Sequence, residues 1–106
     1  MIYRFMRSIL FFDLPSVTKT DLRHYRKFVK YIKGRGFVML QESVYTKLSL
    51  NESVVEATMR DIKNNLPKDG IVSVLTVTEK QFSEIEHLLG EVNMDVIVND
   101  EKIVKL

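Results

Sequence analysis

The chain contains no cysteine, so disulfides and thiolate-based zinc sites are excluded. It has no apolar run near the roughly 20 residues of a membrane span. The apolar stretch from Ser8 to Phe12 follows basic residues, but it is short for a signal peptide and no small-residue cleavage site follows. The expectation is a cytoplasmic protein with no membrane partner. No glycine-rich phosphate loop is present, and no Ser/His/Asp set stands in order. His24 and His87 each lack a second histidine or a carboxylate at metal-ligand spacing. Repeats, linkers and low-complexity segments are also missing. Composition alone therefore does not establish an enzyme.

What remains is an ordinary globular composition, 45% apolar and 28% charged over 106 residues, which reads as one domain. The net charge of +2 hides a strong asymmetry. Residues 1–50 carry ten Lys/Arg against Asp13, Asp21 and Glu42, whereas residues 51–106 carry six against eleven acids. A first half at +7 facing a second half at −5 points to a polyanion partner for the first half. The plainer alternative is a dipolar surface with no partner.

Hydrophobic patterning predicts the elements. Met6–Leu14 (MRSILFFDL) reads as a buried strand stopped by Pro15. Thr18 is placed to cap a helix, with Asp21 as its capping-box acid. That helix runs to about Lys33 on a core stripe of Leu22, Tyr25, Phe28, Val29 and Ile32, and Gly34 and Gly36 end it, with Gly34 the expected left-handed cap. Phe37–Leu40 and Ser43–Leu48 predict a hairpin. Asn51 caps a second helix with Val55, Met59, Ile62 and Leu66 inward. Ile71–Val77 is a fourth strand rich in β-branched residues. Thr78 caps a third helix, Glu79 to Leu89, and strand-like pieces follow at Asp95–Val98 and Lys102–Leu106.

This order is the split βαβ pattern of an α+β, ferredoxin-like βαββαβ fold with a C-terminal helix and strand extension. Residues 1–90 form the expected core, and residues 91–106 a tail for dimer or partner docking. Two helices cover one sheet face. A first strand as apolar as SILFF needs cover on the other, and a second copy stacked face to face supplies it most simply.

Two groups of residues are candidates for function. Asp13 ends the hydrophobic first strand, where a carboxylate is rigidly held and can meet water or magnesium, which commonly takes one or two carboxylates. In a two-fold dimer, two copies of Asp13 could share an ion. Taken alone, Asp13 fits better the plainer role of a carboxylate that accepts hydrogen bonds from the following turn or the start of the first helix. The second group is cationic: Arg23, Arg26, Lys27, Lys30 and Lys33 on the first helix, flanked by Lys19 and Arg35, which suit duplex phosphates. Ser43 and Tyr45 are weaker candidates for a phosphate contact.

The segments SILFFDLP, YRKFVKYIKGRGF and LQESVYTKL resemble the CRISPR-associated Cas two family, the small adaptation protein often described as an endoribonuclease. The strand Val74–Glu79 (VLTVTE) looks most like members that accompany type II systems. The resemblance implies a ferredoxin-like homodimer that partners the integrase subunit of the adaptation machinery. Together they would capture short duplex DNA and insert it into the repeat array. It also implies that Asp13 is the strand-end aspartate assigned to Mg2+ and phosphodiester cleavage, with Gln41, Ser43 and Val44 in the family's hairpin motif. Two departures bear on catalysis. Phe12 stands where many nuclease members have tyrosine, and Phe37-Val38-Met39-Leu40 lacks their second-strand arginine. A positioned cation stabilises the charge gained in a cleavage transition state, so its loss weakens cleavage more than binding.

Three functions follow as expectations. One is a dimeric nucleic-acid-binding scaffold of spacer acquisition. Another is a magnesium-dependent endonuclease acting on RNA or DNA through Asp13. The last, less suited to a basic helix, is a small-molecule sensor.

Overall fold

A computed structural model of the chain describes residues 5–91. Its elements are β1 (Met6–Asp13), α1 (Lys19–Gly34), β2 (Val38–Gln41), β3 (Val44–Ser49), α2 (Glu52–Lys63), β4 (Ile71–Thr78) and the single turn α3 (Glu79–Phe82). The strands form one antiparallel sheet in the order β2-β3-β1-β4. The fold is α+β and ferredoxin-like, as the strand and helix order implied. The expected strands Asp95–Val98 and Lys102–Leu106 lie outside the described residues. Among the described residues no helix is long and apolar enough to cross a membrane.

Strand β1 holds the centre because it pairs along both edges. Leu10 lies opposite Tyr45 on one side and Val74 on the other. Alternation then divides its side chains. Leu10 and Phe12 enter the main core with Phe28, Ile32, Phe37, Tyr45 and Ile62. Arg7, Ile9, Phe11 and Asp13 fall on the other face.

The caps formed as the residue types require. Thr18 Oγ1 accepts from the Asp21 amide at 3.0 Å, and the Asp21 carboxylate accepts from the Thr18 amide at 3.0 Å. That backbone bond is the main reason the Asp21 carboxyl sits below its usual 3.8. Thr78 caps α3 with the same reciprocal box through Gln81, whereas Asn51 caps α2 through its side chain alone, which accepts from the Val54 amide. The stripe of α1 is narrower than its pattern suggested: Phe28 and Ile32 are buried, Tyr25 and Val29 half-buried, and Leu22 exposed. Leu66, just past the end of α2, is exposed too.

Two terminations differ from expectation. The left-handed residue after α1 is Gly36, at φ +97°, while Arg35 is the C-cap. The helix runs through Gly34, so the reversal comes two residues later. Helix α3 ends at Phe82 instead of Leu89. Just past it, the Glu84 and Ile85 amides bond three residues back, a tightening that closes a helix. Phe82 is buried, whereas Leu88 and Leu89 are 89% and 97% exposed, so nothing rewards further turns. Glu84 and Glu86 also place negative charge where a helix C-terminus disfavours it.

Helix α3 is fastened over the second sheet face. Arg7 is only 3% exposed, and its guanidinium meets Glu79 through two bonds of 2.8 and 2.5 Å. The same guanidinium lies 4.4 Å from the centre of the Phe82 ring. Phe82 and Leu40 form a second small core with Ile9, Val38, Val44 and Val77 against it. The rest of that face stays open, with Phe11 43%, Leu75 54% and Ile71 64% exposed.

Removing one member of a buried pair strands the other charge. Glu79→Ala is expected to lower stability by about 3 kcal/mol. Arg7→Met with Glu79→Leu should cost much less, because no charge is left buried. Urea denaturation of the three proteins measures both values; equal losses would show that the pair contributes only packing.

Candidate functional site

Two regions emerge, one cationic and one acidic, and they share Tyr25. The cationic region is the outer face of α1. At about 100° per residue, Lys19, Arg23, Arg26, Lys27, Lys30 and Lys33 project within about 120° of one another, opposite Phe28 and Ile32. All six are exposed. Among the described residues none of them is ion-paired. Arg26, Lys30 and Lys33 rim a shallow groove of about 340 Å³ floored by Tyr25 and Val29. The expected flanking cation Arg35 is differently placed. Its Nε lies 2.7 Å from Asp61 Oδ2, and its guanidinium lies 5.3 Å from the centre of the Tyr31 ring. The Tyr31 hydroxyl donates to the same Asp61 oxygen at 2.7 Å. Burial, and then that hydrogen bond, push the Tyr31 phenol up, so it stays a donor. Arg35 thus ties the end of α1 to α2.

The acidic region lies at the end of β1. Asp13 is exposed, as expected for the last residue of the strand, and pairs with Ile71 of β4. It borders two clefts, both shared with Phe12, Glu42 and Ser43. One, of about 400 Å³, runs toward α1 and adds Leu14, Ser16, Leu22 and Tyr25. The other, of about 340 Å³, runs toward the open sheet face and adds Phe11, Val44, Ile71 and Ser73.

Several contacts hold this corner. The Phe12 amide donates to the Ser43 carbonyl at 3.1 Å, drawing the β2–β3 turn onto the strand end. Ser43 occupies the left-handed region at φ 62°, uncommon for a residue with a side chain. Its hydroxyl lies 3.2 Å from the Tyr25 hydroxyl, which also reaches Glu42 Oε2 at 3.4 Å. Burial, then Tyr25 and Glu42, push the Tyr45 phenol up. From the other side, Gly70 at φ +103° packs so tightly that a Cβ there would lie 2.7 Å from the Asp13 carbonyl oxygen and 2.8 Å from Leu14 Cδ2.

The sequence pointed to Asp13 but not to Glu42 or to the hydroxyl of Tyr25. Glu42 registered only as one acid among many, and Tyr25 only as a core position. The pairing of β3 with β1 joins Glu42 to Asp13, and the packing of α1 on Phe12 brings in Tyr25, contacts that no local spacing announces. Asp13 and Glu42 are the two carboxylates that line this corner, and magnesium commonly takes one or two carboxylates beside waters and phosphate oxygens. No group of three His, Cys, Asp or Glu able to hold a metal ion occurs among the described residues. His24 is half-buried and lines a small recess with Asp21 and Asp69. His87 is exposed.

With this corner and the basic helix placed, comparison with known proteins decides the family. The model described as CRISPR associated protein Cas2 matches residues 6–85. The chain belongs to the Cas2 family. Three relatives carry the name CRISPR-associated endoribonuclease Cas2. The Treponema denticola protein is 44% identical over 95% of this chain and 100% of its own length. The Streptococcus mutans protein is 45% identical over 95% of this chain and 93% of its own. The Ligilactobacillus salivarius protein is 38% identical over 95% and 100% respectively. The Cas2 match spans β1 to α3, and so takes in Asp13, the basic helix and the hairpin turn together.

Gly70 is the residue whose change should disturb the Asp13 corner most. Gly70→Ala both crowds backbone and forces alanine to positive φ, so it should lower stability by more than about 1 kcal/mol. The displacement should be read in amide chemical shifts at Asp13 and Leu14. Unmoved shifts there would show that Gly70 does not set the strand end.

Proposed function

We propose that the chain is a nucleic-acid-binding scaffold of CRISPR adaptation. It pairs with a second copy through the open sheet face, docks on the integrase subunit and lays duplex DNA along α1. The observation that carries this reading is the one-sided fan of six exposed cations on α1. A solvated helix usually intersperses both signs on its outer face, whereas the only acid in α1, Asp21, is turned to the N-cap. Contacts of this kind read phosphates and not bases, which suits a protein that accepts DNA of any sequence. The exposed Phe11, Ile71 and Leu75 support pairing of copies, since monomers rarely leave such residues adjacent.

A second reading, magnesium-dependent cleavage of RNA or DNA, is favoured by Asp13 and by the names of the relatives. Asp13 would hold the ion with help from Glu42, and the ion would supply a water of lowered pKa. The cleft on the open-face side would bring the partner copy's carboxylate near. Against strong cleavage stands the lining of both clefts, which contains no Lys or Arg to meet transition-state charge.

The two readings separate on two variants. Arg26→Glu with Lys30→Glu should weaken duplex binding about tenfold or more at moderate salt and flatten the log–log salt slope by about 2. Asp13→Ala should leave binding and integration intact. Fluorescence anisotropy across salt and an integration assay read both. If charge reversal is harmless while Asp13→Ala abolishes integration, the scaffold reading fails and the nuclease reading replaces it.

A further inference from the structure

The cleft between the end of β1, α1 and the hairpin turn has a chemistry that phosphate binding does not use. Its walls are aromatic and aliphatic through Phe12, Tyr25 and Leu22, and its polar rim is Asp13, Glu42 and Ser43. No cation lines it, so a phosphate is repelled. Two carboxylates with spare lone pairs instead favour a ligand edge that presents N–H donors. At about 400 Å³ the cleft is in the range of small-ligand sites. It is also next to the basic groove, because Tyr25 forms part of both walls. The groove rimmed by Arg26 and Lys30 and the cleft are therefore neighbours across the Tyr25 side chain.

We infer that this cleft takes one unpaired guanine base from a strand whose phosphates lie on α1. Guanine offers N1–H and the N2 amino group side by side, which match the two oxygens of one carboxylate. Thymine offers a single N–H flanked by carbonyls that the carboxylates repel. Glu42, exposed on the turn and only weakly engaged by Tyr25 at 3.4 Å, is the acceptor, and Asp13 lines the same cleft. The Tyr25 ring, already set edge-on to Phe12 at 6.0 Å, supplies a surface for the base. The inference rests on duplex binding by α1 and adds base selectivity to it.

The test uses duplexes that are blunt or end in one unpaired dG or dT, with chelator present and no divalent ion. The dG end should bind about tenfold more tightly than the dT end, the discrimination of one good two-point contact. Glu42→Gln should reduce that ratio to twofold or less, each ratio being taken within one protein so that a change in overall duplex affinity cancels. Equal gains from dG and dT would overturn the assignment in favour of stacking alone. A preference that survives Glu42→Gln, or appears only with magnesium, would overturn it as well. Single-stranded dTTGT against dTTTT repeats the comparison without a duplex. Failure of blunt-duplex binding would therefore sink the scaffold reading while the base selectivity is still read.

Discussion

The contact on which most of this molecule depends is the packing of the Phe12 ring. It meets Phe28 edge-on at 5.4 Å and Tyr25 at 6.0 Å, and it stacks on Tyr45 at 5.9 Å. One side chain thereby sets α1 against β1 and β3 at once. Its amide holds the hairpin turn through Ser43, and its neighbour in the chain is Asp13. The core and the acidic corner are two ends of one residue's environment. Phenylalanine, where many nuclease members of the resembled family have tyrosine, suits this position: the side chain is buried among rings and brings no hydroxyl that would need a partner.

How much of this was legible in the sequence depended on the range of the interaction. The caps at Thr18, Asn51 and Thr78 are contacts across three residues, and each formed where the residue types placed it. The strands were legible because alternation is local too. The end of α3 was not. Phe82, Ile85, Leu88 and Leu89 keep helical spacing, but spacing is rewarded only if a surface lies beneath, and only Phe82 finds one. Asp13 was legible as a strand-end carboxylate. Its neighbours Glu42, Ser43, Tyr25 and Gly70 come from three distant segments, brought together by the sheet order and by the packing of α1 on Phe12.

Charge followed the same division. The count of ten cations in the first half was correct as a sum, but a sum is not a surface. Arg7 is buried in the fastening of α3, and Arg35 is occupied by Asp61. Six others share one helix face, and that sharing, more than the total, makes a continuous cationic surface. Helical periodicity placed them there because the same 3.6-residue repeat that buries Phe28 and Ile32 leaves the opposite arc to water.

The position of β1 also has a consequence for how the chain is made. The strand is synthesised first, yet β4, which covers one of its edges, is synthesised late, with Asp13 pairing to Ile71 and Met6 to Thr78. A ribosome takes roughly 3–13 s to travel from Asp13 to Thr78 at ordinary elongation rates. For that interval the strand MRSILFFD has an open hydrogen-bonding edge. Pairings so distant in sequence also slow the closing step, since the loop between them must be ordered before the contact forms. The central placement that organises the finished sheet makes the nascent chain depend on β4, the last strand among the described residues.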